Sequence, residues 1–228
     1  MRKIYILHGW AYSTEKWNPV LELLKKQGIE TVILKIPGLT APLKKVWDID
    51  DYILWLHEIL KKEPQKVVLM GHSNGGRISL AYAKKYPQKV KQLFLIDAAG
   101  IYHDDLPIRF KRFVFGQLAK AGKNVTQSKQ LKVLLYKFAH EHDYEKAEPF
   151  VRETMRNLIK VDLRKDLSAI ETPTTIIWGQ NDKVTPLQDG KIFAAGLKNS
   201  SLHIISEARH SPMFTHPKEV TSIISKDL

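Results

Sequence analysis

The sequence predicts an α/β protein: a mostly parallel sheet flanked by helices, with a helical insertion. Three observations carry that expectation. Short apolar runs alternate with amphipathic stretches, the rhythm of βαβ units. That rhythm stops near Gly100 and resumes near Thr174, with only helical patterns and loops between. The chain has 228 residues, 43% of them hydrophobic and 26% charged, which suits one sizeable core and argues against disorder.

Taken in order, Ile4–Leu7 reads as a buried strand ending at His8-Gly9. Thr14 is placed to cap a helix running to Gln27, whose apolar stripe is Val20, Leu21, Leu23 and Leu24, with Gly28 closing it. Thr31–Ile36 is the second strand, closed by Pro37-Gly38, and Asp50–Lys62 an amphipathic helix ending before Pro64. Val67–Met70 is the third strand, Gly75–Tyr86 the helix after it, and Leu93–Ile96 the fourth strand. Beyond the break come strand Thr174–Trp178, a helix around Leu187–Leu197, strand Leu202–Ile205 and a last helix from about Pro217. The expected organisation is a core of residues 1–100 and 161–228, with a helical cap inserted at 101–160.

The strongest chemical signal is Gly71-His72-Ser73-Asn74-Gly75-Gly76, placed directly after an apolar strand and opening a helix. Small residues on both sides let strand and helix approach closely, so Ser73 should stand exposed on a sharp turn, as a nucleophile requires. A serine nucleophile needs a base, and the base needs an orienting acid. Asp182 follows strand Thr174–Trp178 and His210 follows strand Leu202–Ile205. Both lie past the C-terminal ends of strands, the edge where open α/β sheets build their sites. The backbone N–H groups of Asn74 and Trp10 are the candidate oxyanion donors. His8, just before Gly9, is expected to brace that loop rather than act as a base.

Composition narrows the classes. The absence of cysteine excludes disulfides, thiolate metal sites and a cysteine nucleophile, and fits a cytoplasmic setting. No apolar run approaches the roughly 18 residues that cross a bilayer, and the apolar stretch after Met1-Arg-Lys is too short for a secretory signal. The net charge is +12, and residues 106–140 hold eight Lys or Arg but no Asp or Glu. Apolar residues such as Phe110, Phe113, Phe115 and Leu118 interleave with Arg109, Lys111, Arg112 and Lys120. An amphipathic cap over an acyl pocket accounts for both, with its basic face offering a contact for an anionic substrate or surface. No nucleic-acid module appears, so nucleic acid is not expected. His140-Glu141-His142-Asp143 lacks the further ligand a hydrolytic metal site wants and reads as a polar loop.

Leu7-His8-Gly9-Trp10, the Ser73 turn, Leu95-Ile96-Asp97-Ala98, Ile177-Trp178-Gly179 to Asp182, and His210-Ser211-Pro212 together resemble the α/β-hydrolase superfamily. More narrowly they are similar to its small capped branch of carboxylesterases and carbon–carbon bond hydrolases. The resemblance implies a triad in the order Ser73, Asp182, His210, no cofactor and no metal, and a small-molecule ester as substrate. Against the family pattern the chain opens on the third strand, which implies a six-stranded sheet. Arg209 stands where the family often has Gly. Some members place the acid after the fourth strand, which makes Asp97 the rival of Asp182; otherwise Asp97 is a structural carboxylate capping loop N–H groups. The expected activity is hydrolysis of esters with small or medium acyl groups. Lactone or carbon–carbon bond cleavage on the same triad is the alternative, as is a non-catalytic ligand-binding protein on this fold.

Overall fold

A computed structural model of the chain describes residues 2–10, 13–104 and 149–228. In chain order the elements are β1 (Arg2–Leu7), α1 (Asn18–Lys26), β2 (Ile29–Ile33), α2 (Ile49–Leu60), β3 (Val67–His72), α3 (Asn74–Lys85) and β4 (Val90–Ile96). After the undescribed stretch come α4 (Pro149–Ile159), β5 (Thr174–Gly179), α5 (Leu187–Gly196), β6 (Ser200–Ile205) and α6 (Pro217–Asp227). The six strands form one sheet in the order β2-β1-β3-β4-β5-β6, and every neighbouring pair is parallel.

Period-two alternation sorts the strand side chains onto two faces. Tyr5, Leu7, Leu69, Leu93, Leu95, Ile176 and Trp178 share one apolar cluster with Leu56 of α2, Ile78 of α3 and Phe193 of α5. Ile4, Ile6, Met70, Phe94, Ile96 and Ile177 share the other with Val20 and Leu24 of α1 and Ile224 of α6. Helices cover both faces, as parallel sheets require. From β1 the chain moves outward to β2, then returns past β1 to β3. The order therefore reverses between β1 and β3, the position where such sheets leave a crevice at the strands' C-terminal ends.

The expected fold class and six strands are those observed, with local differences. Thr14 caps no helix: its carbonyl accepts Trp17 N–H at 3.0 Å in a single tight turn, and α1 starts only at Asn18. Pro19 sits in the first helical turn, where its missing N–H costs nothing. The second strand ends at Ile33 rather than Ile36, because its register against β1 runs from Arg2–Ile29 to Ile6–Ile33. Leu34 and Ile36 are buried from a loop instead, with the Ile36 carbonyl accepting the N–H groups of Leu39, Thr40 and Ala41. Helix α2 begins slightly early on a capping box, Asp48 Oδ1 accepting Asp51 N–H and Asp51 Oδ2 accepting Asp48 N–H.

Most of the expected cap, including Arg109, Lys111, Arg112, Lys120 and His140 to Asp143, lies outside the described residues. Its two ends run side by side, Leu163 N–H donating to Gly100 O at 2.7 Å and Arg164 Nη2 to Tyr102 O at 3.3 Å. Helix α4 is tied to the loop before α2: Trp47 N–H donates to Thr154 Oγ1 at 2.8 Å, and Asn157 Nδ2 to Trp47 O at 3.2 Å. Among the described residues, no helix is long and apolar enough to cross a membrane.

Candidate active site

The turn between β3 and α3 is built by steric exclusion. A Cβ on Gly75 would lie 2.0 Å from Leu7 O, and one on Gly76 would lie 2.4 Å from Ala98 Cβ. Only glycines let α3 start this close to β1 and β4. Ser73 pivots the turn at φ 51°, ψ −119°, a left-handed backbone that costs a non-glycine residue roughly 1–3 kcal/mol. Hydrogen bonds hold it there: Ser73 N–H donates to Ile96 O at 3.1 Å, and Ser73 O accepts Gly76 N–H at 3.0 Å and Ala99 N–H at 2.9 Å.

The loop after β1 closes over the same spot, since a Cβ on Gly9 would fall 2.9 Å from Ser73 Cβ. Ser73 is therefore only 8% exposed rather than standing clear in solvent, with Gly9 packed against its Cβ. His8 is buried, its Nδ1 2.7 Å from Gly9 O and its Nε2 2.8 Å from Thr40 Oγ1. A carbonyl only accepts, so Nδ1 carries the proton and the Thr40 hydroxyl donates to Nε2. Burial lowers the His8 pKa, so the ring is a neutral brace. Trp10, next along, is partly buried and packs against the cluster shared with α2 and α3. Asn74 is the first residue of α3, so its N–H has no acceptor within the helix.

The structure joins the expected acid and base. His210 Nδ1 lies 2.8 Å from Asp182 Oδ2, and both side chains are buried. Asp182 accepts hydrogen bonds on both carboxylate oxygens. Its Oδ1 takes Val184 N–H at 2.7 Å and Thr185 N–H at 3.1 Å, and its Oδ2 takes the Thr185 hydroxyl at 2.7 Å. That pattern fixes the proton on His210 Nδ1 and leaves Nε2 as the basic nitrogen of the neutral ring. Burial pulls the His210 pKa down, but the Asp182 charge and hydrogen bond and the Asp97 charge outweigh it and raise it.

Asp97 ties the two loops together. Its Oδ1 accepts Gly179 N–H and its Oδ2 accepts Ser211 N–H, each at 2.8 Å, while its carbonyl faces the Thr185 hydroxyl at 3.1 Å. Burial, then the Asp182 charge, push its pKa up to about 7. Ser73, Asp97, Glu207 and Ser211 are the only non-glycine residues with positive φ among the described residues. All four sit in the loops bearing Ser73, Asp97 and His210, so backbone strain is concentrated at this edge. Arg209 is exposed and takes no part in that strain, so glycine is not needed there.

His72, Asp97 and His210 offer ligand atoms within 4.8 Å of one another. Hydrogen bonds occupy them instead: Asp97 accepts two N–H groups, and His72 Nε2 lies 3.3 Å from Ser211 Oγ. The His72 and His210 rings are 4.9 Å apart, and burial first, then the His210 charge, hold the His72 pKa well below its usual value. His72 therefore stays neutral beside the His210 ring. Sequence reasoning missed Thr185 and Ser211. The Asp-Lys-Val-Thr-Pro run was the available signal for the first, since Asp followed by Thr three residues on forms a local side-chain turn.

The chain matches the α/β hydrolase fold family over residues 3–217 and belongs to that family. Its relatives are hydrolases. Human monoacylglycerol lipase ABHD6 is 23% identical over 97% of this chain and 73% of its own length. The pimeloyl-[acyl-carrier protein] methyl ester esterase of Legionella pneumophila (strain Paris) is 23% identical over 93% of this chain and 89% of its own. Among solved structures, the serine hydrolase CarC, involved in carbazole degradation, superposes with a TM-score of 0.76 at 20% identity, over 100% of this chain and 90% of that one.

Proposed function

We propose that the protein is a serine hydrolase of carboxylic esters with Ser73, His210 and Asp182 as its triad. The observation that carries this reading is the convergence, at one sheet edge, of a strained serine turn with an imidazole oriented by a buried carboxylate at 2.8 Å. In the proposed reaction His210 Nε2 takes the Ser73 hydroxyl proton as Oγ attacks the ester carbonyl. The Asn74 and Trp10 N–H groups receive the oxyanion, while Asp182 stabilises the imidazolium through Nδ1. Collapse of the tetrahedral intermediate expels the alcohol, which takes the proton from His210. Water, deprotonated by the same nitrogen, then attacks the acyl-enzyme, and the second intermediate frees the acid as His210 Nε2 returns the proton to Ser73 Oγ. No cofactor is required.

The two named relatives act on a monoacylglycerol and on a methyl ester, which supports a small ester as substrate. The lack of cysteine fits work in the reducing cytoplasm. The test is a fluorophosphonate probe with 4-nitrophenyl esters of increasing acyl length. Labelling at Ser73 with a burst of 4-nitrophenol is the expected result. Labelling at another serine, or turnover without any acyl-enzyme, overturns the assignment.

A further inference from the structure

Helix α3 carries, one turn past Ser73, a charged side chain that the reaction above does not use. Arg77 is 3% exposed and Asn74 is 6% exposed, and the two form a unit, Arg77 Nη1 donating to Asn74 Oδ1 at 2.7 Å. A guanidinium can only donate, so the amide oxygen must face it and the amide nitrogen must point elsewhere. That nitrogen, Asn74 Nδ2, is buried without a hydrogen-bond partner, and so is Arg77 Nε. Burial lowers the Arg77 pKa to about 10, and among the described residues no acidic neighbour opposes the shift.

Helix stability does not explain the arrangement. A cation in the first turns of a helix opposes the helix dipole, whose positive end lies there. A buried guanidinium ordinarily has a carboxylate partner, because desolvating its charge is costly. Both orphaned atoms are donors beside a positive charge, so the group they lack is an anionic acceptor. A helical side chain leans toward the helix N-terminus, which brings this guanidinium to Asn74, immediately after Ser73. The fork of a guanidinium with an adjacent amide matches the two coplanar oxygens of a carboxylate.

We propose that Asn74 and Arg77 form a carboxylate-recognising subsite, so that the ester cleaved at Ser73 carries a second, ionised carboxyl group. The inference rests on Ser73 being the nucleophile. It makes Arg77 a specificity-determining residue and adds a side-chain role for Asn74.

The test compares mono-4-nitrophenyl adipate with 4-nitrophenyl hexanoate, and 4-carboxyphenyl butyrate with phenyl butyrate. High salt screens the diffuse attraction of a chain with net charge +12. The first pair puts the carboxylate on the acyl side and the second on the alcohol side. In one pair, kcat/KM should favour the anionic ester by about tenfold or more, with Arg77→Met abolishing the preference and Arg77→Lys retaining part of it. If Arg77→Met does not fold, the wild-type enzyme still decides: adipate should inhibit hexanoate-ester turnover competitively, and dimethyl adipate should not. No preference in either pair, no selective inhibition by adipate, or a preference that survives in folded Arg77→Met each overturns the subsite while leaving Ser73 in place. Failure of the fluorophosphonate to label Ser73 overturns both readings, and that outcome is separate from the others.

Discussion

Residues 71–76 and the two loops at 179–186 and 206–212 reach the same edge of the sheet by different means. At the first, glycines remove side chains so that backbone can pack on backbone: Gly75 against Leu7 O, Gly76 against Ala98. At the second, Gly179 packs closely too, since a Cβ there would stand 2.5 Å from Arg209 O, but polar groups place the acid and the imidazole. Asp182 accepts from Val184, Thr185 and His210, and Asp97 fastens Gly179 to Ser211. Steric placement fails abruptly when an atom is added. A hydrogen-bond network loses its members one at a time. The serine turn should therefore be intolerant of any enlargement, while the acid–base loops should degrade by degrees.

The largest expected effect is chemical rather than structural. Ser73→Ala should lower kcat/KM by a factor on the order of 10⁴ or more, while the thermal midpoint stays level or rises because Ala leaves the packing intact. Turnover close to the wild type in a folded Ser73→Ala protein would remove the nucleophile from its role.

Asp182→Asn comes next, at roughly 10³–10⁴ in rate, because an amide can hold the imidazole in the wrong tautomer. It should also move the pH profile. In the proposed reaction neutral His210 is the working form, and its pKa is raised mainly by Asp182, so the acidic limb of kcat/KM should lie above the ordinary value of 6.5. Removing the carboxylate charge should shift that limb to lower pH. An unshifted limb in Asp182→Asn would mean that another group titrates.

Gly75→Ala probes the steric side. Its new methyl would sit 2.0 Å from Leu7 O, and the helix must retreat to admit it. A displacement of about 1 Å in a reacting group can cost on the order of 10²-fold in rate. The thermal midpoint should fall as well, through an overpacking cost of about 1–3 kcal/mol. Full activity with an unchanged midpoint would show that the turn tolerates looser packing than its contacts imply.

The same contrast explains what the sequence made legible. The serine turn could be read from it because steric placement writes itself as Gly-x-Ser-x-Gly-Gly, and the sheet because buried parallel strands are apolar runs. Asp182 and His210 were readable as to position, each just past a strand. What ties them together was readable only in part: the Asp182-to-Thr185 spacing marks a local turn, whereas Ser211 is an ordinary loop residue until tertiary contact gives it Asp97 as a partner. The second strand was misplaced for a related reason. Leu34 and Ile36 are as buried as strand residues, so their hydrophobicity carries no information about whether the ladder continues through them. Asn74 stands in the motif itself and Arg77 directly after it, yet only the three-dimensional burial reveals that one donor of each lacks an acceptor.

The smallest effect belongs to Asp97, and it separates a brace from an acid. In Asp97→Asn one side-chain position becomes an NH₂ group facing a backbone N–H, either of Gly179 or of Ser211. A buried backbone N–H left without its acceptor costs about 1–3 kcal/mol, so the midpoint should drop and kcat/KM should fall by roughly tenfold as the His210 loop loosens. That is well short of Asp182→Asn, and reversed magnitudes would make Asp97 the acid. The pH dependence sharpens the test. Asp97 titrates at about 7 in the fold against 3.8 as its ordinary value, so its favourable contribution is complete below 3.8 and is lost as pH rises through 7. The variant has no carboxyl there and suffers no such loss. Its stability deficit relative to the wild type should therefore narrow between pH 4 and 7, measured as paired thermal midpoints across that window. A deficit that stays constant would show that Asp97 keeps its charge throughout and that its burial is better compensated than its two N–H partners suggest.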